Sequence, residues 1–441
     1  MKIKKHKNRK NCFIASLLSC FNNESGQSLI EIMIALAIGV VLIGGASISI
    51  VVVLQSSQTS QIQQHATALS QEIIEKGQVY TTADWSNVYD LQKGSSTVYF
   101  FSASSTKLFH IEGKEGVVSG DIQGGLIGHW KLDEATGTTA YDFSGNGNHG
   151  ILESNPTRAT STCKVGYCIN FDGVDDYVEI VPTSPITPYQ QNRTVSVWFN
   201  AGSFPASDNM GLVITGNSVN PLTPMWELNI KAGNGLDIYH GGNHYTVVSS
   251  EINTGEWHHF VYTYNHSAGV FKGYVDGVEK LSQSVSDADY TRNNIYLATG
   301  YFGKYEGFID DARIYNRVLS ADEVEHLYNS TAFNRYFYIE NVCRTNDANY
   351  ELAGVAPCDS GSIDDPSTQR ITGVVEWSGK DKISNFSLIR YLTRWRNDVF
   401  HQTDWSGGSG QEGPVEKSSD RYASSTNIDF SSLGEIKIEG I

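Results

Sequence analysis

The sequence predicts a mainly β protein, α+β overall, built on a long N-terminal helix. Three observations carry that expectation. From Ile32 to Leu54 no residue is charged and none is proline; the stretch holds only apolar residues, glycines and two serines. From about Gly124 to Asn329, short runs such as YVEIV, TVSVWFNA, WELNIKA, HHFVYTYN and VFKGYVDG alternate in side-chain character between glycine-rich turns. That is the pattern of a two-sheet sandwich. Further strand-like runs flank this segment: STVYFFSA and KLFHIEG before it, FNRYFYIENVCR and RITGVVEWS after it.

The chain opens with Lys2, Lys4, Lys5, Lys7, Arg9 and Lys10 against a single Glu24. Positive charge on this flank holds it in the cytoplasm and sends the rest outward. At about 1.5 Å per residue, roughly 20 apolar residues cross a bilayer, so the run to Leu54 is long enough to span. Glu31 stands at its start with no Lys or Arg nearby in sequence. A lone carboxylate at a membrane boundary is costly, which favours a functional role; the plain alternative is a signal anchor with an acid just outside the hydrocarbon.

The order Gly26, Gln27, Ser28, Leu29, Ile30, Glu31, set between a basic leader and an apolar helix, resembles the prepilin signature of type IV pilins and pseudopilins. The resemblance implies that a membrane peptidase cuts after Gly26. Gln27 becomes the mature N-terminus and the methylation site. Glu31 neutralises the terminal amine of a neighbouring subunit. Gln27 departs from the usual phenylalanine, and a terminal glutamine can cyclise instead. Unlike a secretory signal, the apolar segment follows the cut and stays with the mature protein. The implied partners are other pilin subunits, the prepilin peptidase and the membrane. The implied location is the bacterial inner membrane, crossed once with the N-terminus cytoplasmic before cleavage, and then the cell surface.

At 441 residues the chain has room for two or three domains. Its net charge is −16, of which the leader contributes +5, so the remainder stands at −21. Such a surface repels nucleic acid, and no nucleic-acid partner is expected. Of six cysteines, Cys12 and Cys20 leave with the leader. The other four lie on the side predicted to be outside the cytoplasm, as the close pairs Cys163 with Cys168 and Cys343 with Cys358. Two local disulfides are expected, although four cysteines allow three connectivities. No histidine stands at ligand spacing beside either pair, which weighs against a zinc site.

The leader is residues 1–26 and the helical segment 27–77, membrane-spanning over about 32–54. Beyond Leu54, Ile62, Ala66, Leu69, Ile73 and Ile74 recur on one helical face, and Gly77 is the expected stop. Residues 78–123 read as short strands that resemble the sheet covering the helix of a minor pilin. In 124–330 the runs GHWKLDEATGTTAYDFSGNGNHG, YCINFDGVDDYVEI, GEWHHFVYTYN and GFIDDARIYNRVLSADEVEHLYN resemble, in order, the laminin-G-like, concanavalin A-like lectin module, a jelly-roll sandwich. Its closing SADEVEHLYN reads as a helix with Ser320 as N-cap and Glu323 completing a capping box. Residues 331–406, with their Cys pair, DPSTQRITGVVEW and YLTRW, resemble the C-terminal strands of minor pilins. Pilin-like strands on both sides imply that the sandwich is inserted into a loop of a pilin sheet, an arrangement that needs neighbouring termini. Residues 407–441 form a Ser- and Gly-rich tail.

Three chemistries are open to the sandwich. Related folds include glucanases, which need two carboxylates across a glycosidic bond. Their ExDxxE-type strand is absent and no nucleophile arrangement stands out, so no enzyme is expected. Structural calcium is the second. The turn DFSGNGNHG offers Asp142, Asn146 and Asn148, and the resemblance adds Asp172 and Asp310. The same residues also suit a tight turn by themselves. The third is ligand recognition, glycan or surface protein, by Trp226 and the segment DIYHGGNHY with Tyr239, His240, Asn243, His244 and Tyr245. His258 and His259 sit in one strand, where one ring should face in and the other out. Together these readings describe a minor type IV pilin or pseudopilin with a lectin-like adhesive module. The alternatives are a membrane-anchored binding protein that enters no filament, and a secretion-system pseudopilin.

Overall fold

A computed structural model describes residues 29–103, 108–183, 191–216, 226–285, 294–345, 351–378, 383–394, 428–429 and 437–438. Gly26, Gln27, Cys12 and Cys20 lie outside the described residues, as do most of the tail and the side chain of Glu31. The chain forms two units, divided after Gln63.

Helix α1 runs over Leu29–Ala83. In the first unit its large apolar side chains from Met33 to Leu54 are exposed, and it is long and apolar enough to cross a membrane. In the second unit Ala66, Leu69, Ile73, Ile74 and Tyr80 are buried, one stripe at three- and four-residue steps. Gly77 does not end the helix, contrary to the sequence expectation. It lets the helix approach a strand: a Cβ there would stand 2.6 Å from Ile371 Cδ1. The helix runs on to Ala83, and a short α2 (Ser86–Tyr89) follows.

The first sheet draws strands from both ends of the second unit: β1 (Tyr99–Ala103), β2 (Leu108–Glu112) and β3 (Glu115–Val118) from one side. Between these and the rest of that sheet, the chain lays down the strands of two other sheets. They are β4 (Leu126–Trp130), β5 (Thr139–Ala140), β6 (Gly150–Glu153), β7 (Thr157–Ala159), β8 (Cys168–Asp172), β9 (Tyr177–Ile180), β10 (Arg193–Ala201) and β11 (Met210–Gly216). Next come β12 (Trp226–Lys231), β13 (Gly235–His240), β14 (Asn243–Val248), β15 (Trp257–Asn265), β16 (Val270–Val275), β17 (Val278–Ser284), β18 (Asn294–Leu297) and β19 (Glu306–Tyr315). Helix α3 (Ala321–Asn329) follows, with the expected capping box between Ser320 and Glu323. The first sheet then resumes with β20 (Ala332–Thr345), β21 (Leu352–Val355), β22 (Ser362–Ser378) and β23 (Ile383–Thr393).

The first sheet has the order β2-β1-β20-β22-β23, with β3 and β21 also paired to β20. All its named pairings are antiparallel. Val118 of β3 lies opposite Ala332 of β20, and Ser119 N donates to Thr331 O at 2.9 Å, so the chain leaves this sheet and returns to it side by side. The second sheet is β17-β16-β15-β10-β19-β8-β7 with β4 on β19; the third is β14-β13-β12-β11-β18-β9-β6-β5. Between the second and third sheets lies one apolar core that includes Trp130, Phe199, Trp226, Phe260 and Phe271, all buried. Each such side chain contributes about 1.5–3 kcal/mol or more when withdrawn from water. Both expected disulfides are formed, Cys163–Cys168 and Cys343–Cys358.

The first sheet meets the sandwich through buried charge. Glu115 accepts from Lys131 at 2.7 Å and from Arg335 at 2.5 Å, and Arg335 reaches Glu72 of α1 at 2.7 Å. Burial alone would raise the Glu115 pKa, but Arg335 and Lys131 hold it down to about 2. Arg313 joins Asp121 to Asp311, and His129 Nε2 meets Asp311 at 2.7 Å. Ala135 N donates to Glu112 O at 2.7 Å.

Candidate functional site

The residues named for calcium are not brought into one coordination sphere. Asp142 spends both carboxylate oxygens on its own turn and on the neighbouring strand β4. Oδ1 accepts from His129 N and Ser144 N at 3.0 and 2.9 Å, and Oδ2 from Ser144 Oγ and Asn148 N at 2.9 Å. The side-chain amides of Asn146 and Asn148 donate to Ile127 O. Asp310 is buried elsewhere and accepts from Lys164 N and Val165 N. Asp172 lies opposite Glu306, the far end of β19 from Asp310 by four residues, about 13 Å of strand. It stands with Asp175 and Asp176, whose carboxylate oxygens come within 4.8 Å of one another. The Lys304 ammonium is close by, donating to Asp175 O at 3.3 Å. The donor set expected from sequence therefore does not fit a single ion: one part closes a turn and another receives backbone amides.

The ligand residues divide by strand alternation. Trp226 is fully buried and Trp226, Leu228 and Ile230 point into the core, as do Leu236 and Ile238 of β13. His240 follows them inward: it is 1% exposed, with Nδ1 2.8 Å from the Tyr262 hydroxyl. Trp226 and His240 are thus core residues, which corrects their assignment to an exposed site. Tyr245 is half-buried on the same side, edge-on to Phe271 at 5.1 Å. Asn243 is exposed at the turn between β13 and β14. Tyr239 faces the other way. His258 and His259 do take opposite sides of β15, but both are buried. His258 bonds Asp276 at 2.9 Å, and His259 bonds Ser196 at 2.7 Å and stacks on Trp198 at 4.7 Å. Tyr328 of α3 stacks over the same Trp198 at 5.6 Å, so the outer side of the second sheet is covered.

The outer side of the third sheet carries a different arrangement. Tyr239 meets His244 at 5.0 Å, His244 meets Phe302 at 5.7 Å, and Phe302 meets Tyr301 at 4.7 Å between ring centroids. Tyr301 is 48% and Phe302 50% exposed, so the row of rings ends in open aromatic faces. Beneath the row lie polar groups withdrawn from water. Asp237 Oδ1 meets His244 Nδ1 at 2.5 Å and accepts from Asn209 Nδ2 at 3.3 Å. Burial raises the Asp237 carboxyl and the nearby His244 partly offsets this. On the next strand Glu227 Oε1 accepts Tyr301 N at 3.0 Å, while its buried Oε2 has no ionic partner among the described residues. Burial pushes Glu227 up to about 8, and the Tyr301 amide and the Asn229 side chain recover only part of that. Near neutral pH Glu227 is therefore a carboxylic acid, able both to donate and to accept. Asn229, its neighbour on the same face, turns its side chain to Glu227 and has no other partner among the described residues.

Sequence reasoning named Tyr239 and His244 and missed Asn209, Glu227, Asn229, Asp237, Tyr301 and Phe302. Two signals were present. Alternation in WELNIK puts Glu227 and Asn229 on the face opposite the buried Trp226. The adjacent Tyr301 and Phe302 sit in a glycine-bounded turn, where two large rings find little to bury them.

Comparison with known proteins agrees with both ends of this description. Residues 21–47 match the prokaryotic N-terminal methylation motif, and residues 172–325 match the concanavalin A-like lectin/glucanases superfamily. The N-terminal segment thus carries a prepilin-type methylation motif, and the sandwich segment matches a lectin-like fold. Together they match the expected pairing of a prepilin N-terminus with a laminin-G-like module. Domain 4 of an extracellular arabinanase from Geobacillus stearothermophilus, in complex with arabinotriose, is 20% identical over 46% of this chain and 98% of its own, with a TM-score of 0.38. The binding domain of botulinum neurotoxin serotype D is 12% identical over 59% and 74%, with a TM-score of 0.38. A Trypanosoma rangeli sialidase is 16% identical over 46% and 32%, with a TM-score of 0.37. At these identities and scores none of them bears on what this chain binds. No curated protein matches the chain.

Proposed function

We propose that the protein is a minor type IV pilin or pseudopilin that displays its sandwich at the cell surface as a binding module. The prepilin motif implies processing by the prepilin peptidase and association with other pilin subunits, and the lectin-like fold implies a ligand. Both modules point to a non-catalytic role. The observation that carries the reading is the side-by-side exit and return of the chain at Val118 and Ala332. A bulky module is added to a helix-backed sheet without interrupting the pairing of that sheet. Assembly proceeds through α1, with Glu31 meeting the terminal amine of a neighbour; in hydrocarbon either charge alone is expensive, so the pair sets the register.

The ligand surface is the outer side of the third sheet. An aromatic row over buried polar groups is suited to a saccharide, whose ring stacks on Tyr301 or Phe302 while its hydroxyls reach Asp237, Asn209 and Glu227. Two experiments test the two halves. Glu31→Ala should abolish recovery of the protein in sheared filaments; unchanged incorporation removes the assembly half, and surface display without filaments supports a membrane tether. A glycan array probed with the full chain in detergent should give hits that Phe302→Ala and Tyr239→Ala lose. Hits unaffected by either variant place the ligand elsewhere.

A further inference from the structure

The Cys163–Cys168 disulfide closes a short loop, and four consecutive amides of that loop turn inward. Lys164 N and Val165 N donate to Asp310 Oδ2 at 3.0 and 2.9 Å. Gly166 N donates to Asn334 Oδ1 at 2.7 Å, and Tyr167 N to Asp133 Oδ1 at 2.8 Å. The other oxygen of Asp133 takes Gly116 N at 2.6 Å. Asp310 and Asp133 belong to the sandwich segment, Asn334 and Gly116 to the first sheet. Successive N–H groups wrapped around acceptors form a cradle, and the ring closed by the disulfide keeps them converging. The fit is close. Gly166 has φ +65°, and a Cβ there would stand 1.8 Å from Asp133 Oδ1. A Cβ on Gly116 would stand 2.5 Å from Val165 Cγ1. Both carboxyls are buried and both are raised by that burial.

We propose that this loop is a redox-sensitive fastening between the sandwich and the helix-backed sheet. A dithiol reductant supplies the electrons. The Cys163–Cys168 bond breaks, two electrons and two protons pass to the two sulfurs, and the reductant leaves as its own disulfide. Cys163 is half-buried whereas Cys168 is fully buried, so attack falls on the Cys163 sulfur. The opened loop regains conformational freedom and its amides no longer converge. Asp133 and Asp310 are then left buried without those donors, a state that cannot persist while the seam stays dry. Water enters, and the seam parts on this side. The Glu112–Ala135 and Glu115–Lys131 contacts lie off the loop and remain as the hinge.

Hydrogen exchange on the full chain in detergent, with and without dithiothreitol, tests this. On reduction, the amides of residues 164–167 and of Gly116 should lose protection by about tenfold or more, while Arg193–Ala201 and Trp257–Asn265 in the core keep theirs. The variant Cys343→Ser/Cys358→Ser should respond to reductant in the same way, which separates the two disulfides. Asn334→Ala, with the loop still oxidised, should raise exchange at Gly116 as well as at Gly166. Unchanged protection after reduction overturns the proposal. So does equal loss throughout the core strands, because the bond would then support the sandwich and not the seam.

Discussion

Two regions of the second unit bury acidic side chains, and they do so in different ways. At the seam between the first sheet and the sandwich, ion pairs hold the acids Glu115, with Lys131 and Arg335, and Asp311, with His129 and Arg313, while Asp133 and Asp310 accept backbone amides. On the outer side of the third sheet, the buried Glu227 has no ionic partner among the described residues and meets only the Tyr301 amide and the Asn229 side chain. Paired burial holds two parts of a chain in one arrangement. Unpaired burial leaves capacity that only water or a ligand can fill. The contrast separates the part of the molecule that fastens from the part proposed to bind.

The largest test falls on the seam. Arg335→Ala leaves Glu72 and Glu115 without their shared cation, and it should cost about 3–5 kcal/mol in denaturant unfolding. A loss below about 1 kcal/mol would mean that the network is solvated, and the contrast would break. The second test is pH, and the two regions should answer with opposite sign. Glu115 titrates near 2 when folded against an ordinary 4.5. Its contribution is present above pH 4.5 and is lost as pH falls towards 2, a loss on the order of 3 kcal/mol that Glu115→Gln should flatten. Glu227 titrates near 8 against 4.5. The unfolded chain releases that proton first, so stability falls as pH rises from 4.5 to 8 and stays reduced above. Glu227→Gln should remove this fall, recovering roughly 3–5 kcal/mol at pH 9 and little at pH 5. Equal pH dependence of the variant and the parent above pH 6 would show that Glu227 is hydrated. The smallest effect on stability belongs to the row of rings. Phe302→Ala should change unfolding by no more than about 0.5 kcal/mol while abolishing glycan binding, a division that marks a ligand surface.

Much of this architecture is legible in the residues alone. The absence of charge from Ile32 to Leu54 suffices for a membrane-length helix, and strict alternation in TVSVWFNA and HHFVYTYN suffices for sandwich strands. The capping box at Ser320 and both cysteine pairs are local, so sequence spacing reaches them. What escaped depends on contacts far apart in the chain. Gly77 reads as a helix stop because the strand that requires it, around Ile371, comes nearly at the other end. Trp226 and His240 look like ligand groups until alternation is anchored by knowing which side of β12 and β13 is core. Glu227 looks like an ordinary exposed acid because the turn that covers it, at Tyr301, lies far along the sequence. Asp142 and Asp310 resemble metal ligands since a carboxylate receiving backbone amides has the same composition as one receiving an ion.

Val118 and Ala332 face each other across a single ladder. A tug on a particle held by the sandwich reaches the first sheet through these two adjacent strands and through the seam contacts beside them, such as Glu115 with Lys131. The load passes into β20, which is paired along both edges. A tether built this way delivers the pull to the strand that has the most neighbours in its sheet.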